Sequence, residues 1–463
     1  MADLTPSRIV ELLDKYIVGQ NEAKKAIAIA IRNRYRRMKL KEEYREEIIP
    51  KNILMIGPTG VGKTEIARRV AKILGAPFIK VEATKYTEVG YVGRDVESMV
   101  RDLVEVSFRN VQGEKIKLVD KKSYDEAIKR ITEILKPYPS SSSQNNPIFS
   151  IFNIQQSVNV PEEIKREIDS QREELFEKIK KGELDEEQIE IDIEAKPVIE
   201  TYFIPGTNIT FDQYGIDMNE LFSSFYPKKT KKKKVKIKEA IELLKIEEAK
   251  KLIDYEEVKK EAIYRAENLG IIFIDEIDKI ASKGDSRGPD VSREGVQRDL
   301  LPIIEGTVVL TKYGAVKTDH ILFIAAGAFH ISKPTDLIPE LQGRFPIRVK
   351  LNNLNKDDFY KILKHSKNSL IEQYIELLKV ENILVNFSDE AIMAISEIAE
   401  NLNTTTENIG ARRLHTVIEK VLEDISFDIQ KYQNQKITID KAFVYDKLKD
   451  IIQIEDKSDI YII

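Results

Sequence analysis

Gly57-Pro58-Thr59-Gly60-Val61-Gly62-Lys63-Thr64 fits the pattern G-x-x-x-x-G-K-[ST]. Gly57, Gly60 and Gly62 lack a Cβ, so backbone N–H groups can close around a phosphate. Lys63 can reach the β- and γ-phosphates, and the Thr64 hydroxyl can ligate Mg²⁺. Further along, Gly270-Ile271-Ile272-Phe273-Ile274-Asp275-Glu276-Ile277-Asp278 is an apolar run that ends in carboxylates. Asp275 suits Mg²⁺, directly or through water. Glu276 suits the polarisation of a water for attack on a γ-phosphate, as a general base. Each stretch alone has a plain structural reading: a Gly-rich turn, or a strand end with solvated acids. In one chain and in this order they point to ATP and Mg²⁺.

These residues need elements to hold them. The apolar run 53–56 is long enough for a buried strand, and 65–74 reads as a helix with Ile66, Val70 and Ile73 on one face. The phosphate loop thus lies between a strand and a helix, the context its chemistry requires. The run at 271–274 reads as a second buried strand that delivers Asp275 and Glu276 to a C-terminal sheet edge, where open α/β sheets bind ligands. Strands are also expected at 77–81, 307–310, 320–327 and 347–351, and helices at 22–38, 95–109, 239–260, 292–305, 391–401 and 408–429. Asn21 is a candidate N-cap, and Ser388-Asp389-Glu390 caps the helix after it. Arg32, Arg34, Arg36 and Arg37 on the first long helix read as a solvated face.

At 463 residues the chain is too long for one compact core, so about two to four domains are expected. Apolar content of 42% and charged content of 33% describe a globular, rather helical protein, and a net charge of −4 favours no nucleic acid. There is no Cys, which removes disulfides, thiolate zinc sites and cysteine nucleophiles. No run of about 18 apolar residues offers a membrane helix, so no membrane association is expected. The N-terminus lacks an apolar signal-peptide core. Four His and no H-E-x-x-H leave a zinc protease unsupported. Gly284-Asp285-Ser286-Arg287-Gly288 matches G-x-S-x-G, but no strand directly precedes it, so a nucleophile elbow is rejected.

Residues 110–245 have a different texture, Lys/Glu/Ile-rich and helical, broken by a Pro/Ser/Asn stretch at 136–147. The sheet resumes directly after this segment, so it reads as an insertion. Ile189, Ile191 and Ile193 alternate with acids as in a half-buried strand. The basic run at 228–238 reads as a solvated linker or, in a competing reading, a nucleic-acid contact. Gly90-Tyr91-Val92-Gly93 is either a tight turn with Tyr91 packed inward or a mobile tip with an exposed apolar grip. The chain ends Tyr461-Ile462-Ile463, an apolar terminus that is docked on its own chain or serves as a ligand for a partner.

The phosphate loop, IIFIDEID, GRFP and GARRL, in this order, resemble an AAA+ ATPase. Five longer stretches are similar to the HslU (ClpY) family of Clp-type unfoldases: IVGQ at 17–20, the segment 51–69, EATKYTEVGYVG at 82–93, GPDVSREGVQRDLL at 288–301 and ENIGARRLH at 407–415. The resemblance runs nearly end to end, with the inserted segment matched by position only. It implies an α/β fold: an AAA+ P-loop three-layer α/β/α domain (1–109 and 246–332), a mostly helical inserted domain (110–245) and a C-terminal small α+β domain (333–463). It implies that Val18 contacts adenine and that Gly60, Val61, Gly62, Lys63, Thr64 and Glu65 bind phosphates. Asp275 and Glu276 would be the Walker B pair, Arg344 an arginine finger offered to a neighbouring subunit, Glu340 a further nucleotide-site residue and Arg412 sensor 2. With Lys63, Asp275, Glu276 and Arg344 in catalytic roles, the expectation is ATP hydrolysis in a cytoplasmic homohexamer. Gly90, Tyr91, Val92 and Gly93 would form the pore loop that grips substrate proteins. Tyr461, Ile462 and Ile463 would dock on an HslV-type threonine protease double ring. The strand end Ala325-Ala326-Gly327-Ala328 departs from the polar sensor 1 of many AAA+ proteins, so none is assigned. A four-Cys zinc module of the ClpX type is excluded by composition. An AAA+ nucleic-acid motor or clamp-loader-like ATPase stands as the alternative, and a nucleotide-gated scaffold without turnover is disfavoured by the full catalytic set.

Overall fold

The computed structural model describes residues 4–48, 51–87, 94–138, 162–194, 230–281 and 293–454. They form two compact units, Met1–Ser107 with Ala262–Ile463 and, separately, Phe108–Glu261. The strands, in chain order, are β1 (Ile53–Ile56), β2 (Phe78–Glu82), β3 (Gln188–Glu194), β4 (Thr230–Lys236), β5 (Ile271–Asp275), β6 (Val308–Thr311), β7 (Gly314–Lys317), β8 (Leu322–Gly327), β9 (Ile347–Lys350), β10 (Leu384–Phe387) and β11 (Lys436–Ile439).

In the first unit, five strands make a parallel sheet in the order β2-β5-β8-β1-β9. Continuous apolar runs are what a parallel sheet covered on both faces requires, and every residue of β8 is buried. One face packs Leu54, Ile272, Ile274 and Phe323 on residues of the helices Ser98–Leu118 and Arg293–Glu305. The other packs Ile53, Met55, Phe273 and Ile324 on residues of the helices Pro6–Asp14, Asn21–Met38 and Lys63–Leu74. A separate apolar cluster holds the chain from Leu354 to Leu448. It is built on the parallel pair β10-β11 and six helices, among them Asp389–Thr405 and Arg412–Phe427. Ser388 caps the former as expected, accepting from Ala391 N.

Two expectations for the long N-terminal helix are corrected. Its N-cap is Gln20, not Asn21, in a left-handed conformation without a side-chain cap bond. Nor are all its arginines solvated. Arg34 and Arg37 are buried, because a spacing of three residues places both on the face turned to the sheet. Arg34 donates to the carbonyls of Gly270 (3.1 Å), Asn268 (3.0 Å) and His320. These lie just ahead of β5 and β8, at the N-terminal edge of the sheet.

The second unit carries the helices Asp120–Leu135, Glu162–Lys180 and Ile237–Leu252 around the antiparallel pair β3-β4. Where it is described, the basic run is therefore strand (Thr230–Lys236) and the start of a helix, not linker. Ile189, Ile191 and Val235 face a core with Ile128, Ile131 and Leu244. On the opposite face Glu190 pairs with Lys234 and Asp192 with Lys232, and Lys232 bridges to Glu190 at 3.5 Å. Lys233 and Lys236 have partners in Glu239 and Glu186. The helix expected over 239–260 is two helices, the second being Tyr255–Leu269.

Candidate functional site

The phosphate loop leaves the C-terminal end of β1 and enters the helix Lys63–Leu74. Gly57 N donates to Gly327 O (3.1 Å), which ties the loop to the end of β8. Gly62 caps the helix at φ 99° and offers no side-chain cap bond. The first N–H groups of that helix are therefore left to an anion, which the helix dipole favours. The Lys63 ammonium folds back onto the loop and donates to Gly57 O (2.5 Å) and Pro58 O (2.7 Å). Burial pulls its pKa below the usual lysine value, Asp275 and Asp278 oppose that, and Arg412 adds to it. Glu65 is engaged by Arg69 (2.6 Å) and Arg68 (3.0 Å).

Asp275 ends β5 and Glu276 follows it with φ 57°. A non-glycine residue in the left-handed region is strained, and such strain clusters at functional sites. Asp275 Oδ1 accepts from Glu276 N (3.1 Å), and Oδ2 pairs with Lys80 on β2 (2.8 Å). Asp278 holds the turn after β8, accepting from Phe329 N at 3.2 Å. Lys80 was not picked out from the sequence. Its signal is a charged residue within a strand of that sheet, two positions before the register partner of Asp275.

Val18 is set by a left-handed turn at Gly19 and Gln20. The Gln20 carboxamide locks that turn to the chain after β9, donating to Asn352 O (2.9 Å) and accepting from Asn352 N (3.1 Å). Arg412 begins the helix Arg412–Phe427. The turn before it presses on the phosphate loop: Ala411 N donates to Gly60 O at 3.0 Å.

Val18, residues 60–65, Asp275, Glu276 and Arg412 all line one cleft of about 1920 Å³. Tyr16 and His330, which the motifs did not single out, also line it. Glu340 and Arg344 do not. They lie on the helix Pro339–Arg344, and Arg344 pairs with Glu305 at 2.9 Å. The donor set at the cleft, one strand-end carboxylate and one hydroxyl, fits Mg²⁺, which takes one or two protein ligands beside phosphate oxygens and water. Among the described residues no larger His/Cys/Asp/Glu cluster forms a metal site. Gly90, Tyr91, Val92 and Gly93 lie outside the described residues, as do Tyr461, Ile462, Ile463 and the 284–288 stretch. The chain on either side of 88–93 is joined where Thr87 N donates to Arg94 O (3.3 Å).

Two family profiles match. The ATPase family associated with various cellular activities covers residues 53–154, and the AAA domain of the Cdc48 subfamily covers 196–348. The chain is 57% identical over 456 residues to a protein of Persephonella marina called ATP-dependent protease ATPase subunit HslU, spanning 98% of each. Over 459 residues it is 56% identical to proteins of the same name from Bacillus cereus and Bacillus anthracis, again over 98% of each.

Proposed function

The chain belongs to the HslU family of AAA+ ATPase subunits, and on that premise we propose that it works as a ring-forming unfoldase that feeds a separate protease. It hydrolyses ATP, the activity its family carries. The ring is a cytoplasmic homohexamer, and its partner is an HslV-type threonine protease double ring. The large domain (1–109 and 246–332) holds the nucleotide, 110–245 is inserted in it, and the small domain is 333–463.

The observation that carries this reading is the division of the two arginines. Arg412 lines the same cleft as Lys63 and Asp275, whereas Arg344 lies outside it, half-exposed beside Glu305. That division suits a site completed by a neighbour's Arg344, and a finger supplied in trans is worth orders of magnitude in rate. Lys63 leaves the Gly57 and Pro58 carbonyls for the phosphates, and the N–H groups of 60–65 hold the β-phosphate. Val18 receives the adenine, and Glu340 assists at the neighbouring subunit's nucleotide. Glu276 takes the proton of the attacking water. Asp275 and Thr64 would hold Mg²⁺, which when bound neutralises charge on the transferring phosphoryl group.

The site moves substrate proteins through Gly90, Tyr91, Val92 and Gly93 at the pore, and Tyr461, Ile462 and Ile463 dock on the partner. The nucleic-acid motor is not favoured. Lys232 and Lys234 of β4 stand opposite acids of β3, and Lys232, Lys233 and Lys236 have ion-pair partners, so much of this positive charge is already compensated. Among the described residues no helix is long and apolar enough to cross a membrane.

The test is ATP-dependent degradation of a folded, tagged reporter with and without an HslV-type protease. Degradation is expected only with both ATP and partner. Tyr91→Ala and a truncation after Asp459 should each abolish it while ATP hydrolysis survives. Degradation by the chain alone, or a Tyr91→Ala variant that unfolds normally, would refute the reading.

A further inference from the structure

Asn403 sits in the last turn of the helix Asp389–Thr405 and is 7% exposed. A buried carboxamide has two donors and an acceptor to satisfy, and here they are used on one short turn. Nδ2 donates to Gly410 O (3.1 Å), and Oδ1 accepts from Ile409 N (3.3 Å) with Arg413 Nε at 3.5 Å. Arg413 continues the bracing, donating to Thr406 Oγ1 and Glu407 O, both at 2.8 Å. The turn is thus fixed from behind by two side chains, Asn403 and Arg413, that are not among those lining the cleft.

Its front meets the phosphate loop backbone to backbone. Ala411 N donates to Gly60 O at 3.0 Å. A Cβ on Gly60 would come within 1.9 Å of Ile409 O, and one on Gly410 within 2.7 Å of Gly60 O and Thr59 O. No side chain lies in this contact to absorb a displacement by changing rotamer. A shift of the Gly60 peptide must therefore push the turn, and the residue after the turn is Arg412, which lines the cleft.

We propose that Asn403 is a positioning residue for the nucleotide site: it holds the 409–411 turn against Gly60 so that Arg412 follows the phosphate loop. ATP filling the loop then sets Arg412, and through its helix the C-terminal cluster, without a further switch. This rests on the nucleotide-site reading above. It goes beyond that reading in assigning the coupling to a side chain that touches neither phosphate nor base.

The test is the affinity of the full-length chain for a slowly hydrolysed ATP analogue, measured by calorimetry alongside the thermal midpoint without nucleotide. Asn403→Ala leaves Gly410 O and Ile409 N without the carboxamide, and its Kd should rise about tenfold, the effect of about one misplaced contact. Asn403→Asp, of equal size, sets a carboxylate oxygen against Gly410 O and should lose at least as much. In an Arg412→Ala background, Asn403→Ala should weaken binding no further, because the two act through one contact. Native affinity in Asn403→Ala, or losses that add in the double variant, would overturn the proposal. Failure of both Asn403 variants to fold would also overturn it, in favour of a purely structural role. Lys63→Ala separates the two levels: if it binds the analogue normally, the nucleotide site itself is misplaced, whatever Asn403 does.

Discussion

The two ends of the parallel sheet both carry cations, and they use them in opposite ways. At the C-terminal edge Lys63 donates to two loop carbonyls beside a cleft, and Asp275 shares its oxygens between Lys80 and a backbone N–H. These are contacts a phosphate or a metal can replace in kind. At the N-terminal edge Arg34 lies buried and donates to three backbone carbonyls. Burial lowers its pKa to about 9, still well above neutral pH. Arg37 next to it donates to Arg45 O (2.5 Å) and Ile48 O and contacts His320 Nε2 at 2.8 Å. Those partners are main-chain carbonyls and one ring. A cation marks a site where its partners can be exchanged, and a joint where they cannot.

That contrast predicts a separation of activity from stability. The largest effect should come at the cleft. Glu276→Gln should slow ATP hydrolysis by about 10²–10⁴-fold, the range for a lost general base. Its thermal midpoint should stay native or rise, because Glu276 is exposed and its backbone strain is unchanged by the swap. A fast Glu276→Gln enzyme would mean that another group activates the water. The next effect belongs to the other edge. Arg34→Ala leaves three carbonyls without their donor and should cost about 3 kcal/mol of stability, read from denaturant midpoints. Hydrolysis per folded chain should be unchanged. If Arg34→Ala instead lowered turnover at native stability, the two edges would be coupled and the division of labour would fail.

The sequence made the C-terminal edge legible and the N-terminal edge not, for a physical reason. A phosphate loop constrains residue type at several adjacent positions, since φ 76° and 99° at Gly60 and Gly62 strongly favour glycine. An apolar run ending at Asp275 likewise announces its own edge. Arg34 carries no such mark. Its partners are main-chain carbonyls contributed more than 200 positions away, and a carbonyl has no letter in the sequence. The same holds for Asn403, whose partners are the backbone of 409 and 410. The basic run on β4 misled for the complementary reason. Its partners do have letters, the acids of β3, but only the antiparallel register places Glu190 and Asp192 opposite Lys234 and Lys232. The alternation of Ile189, Ile191 and Ile193 pointed to a strand, but nothing local paired it with 228–238.

The smallest effect tests the N-terminal edge by pH. His320 Nε2 lies 2.8 Å from Arg37, and Arg34 and Asp319 are the other charged groups around the ring. Burial, then Arg37, hold its pKa below the ordinary value, with Asp319 opposing and Arg34 adding to the depression. The folded chain therefore prefers the neutral ring more strongly than the unfolded chain does. Above the unfolded value of about 6.5 both states hold neutral histidine and the full stability is present. As the pH falls through that value the unfolded chain takes up the proton first, so stability is lost until the folded ring also titrates. Thermal midpoints measured from about pH 8 to pH 5 should decline in this window. His320→Gln keeps an acceptor for Arg37 without the titration, so it should flatten the decline attributable to this site. Glu276→Gln should leave the slope as it is, since it lies at the opposite edge. Were His320→Gln to leave the pH profile unchanged while lowering stability at every pH, the ring would be acting through shape alone, and the joint would carry no proton-linked component.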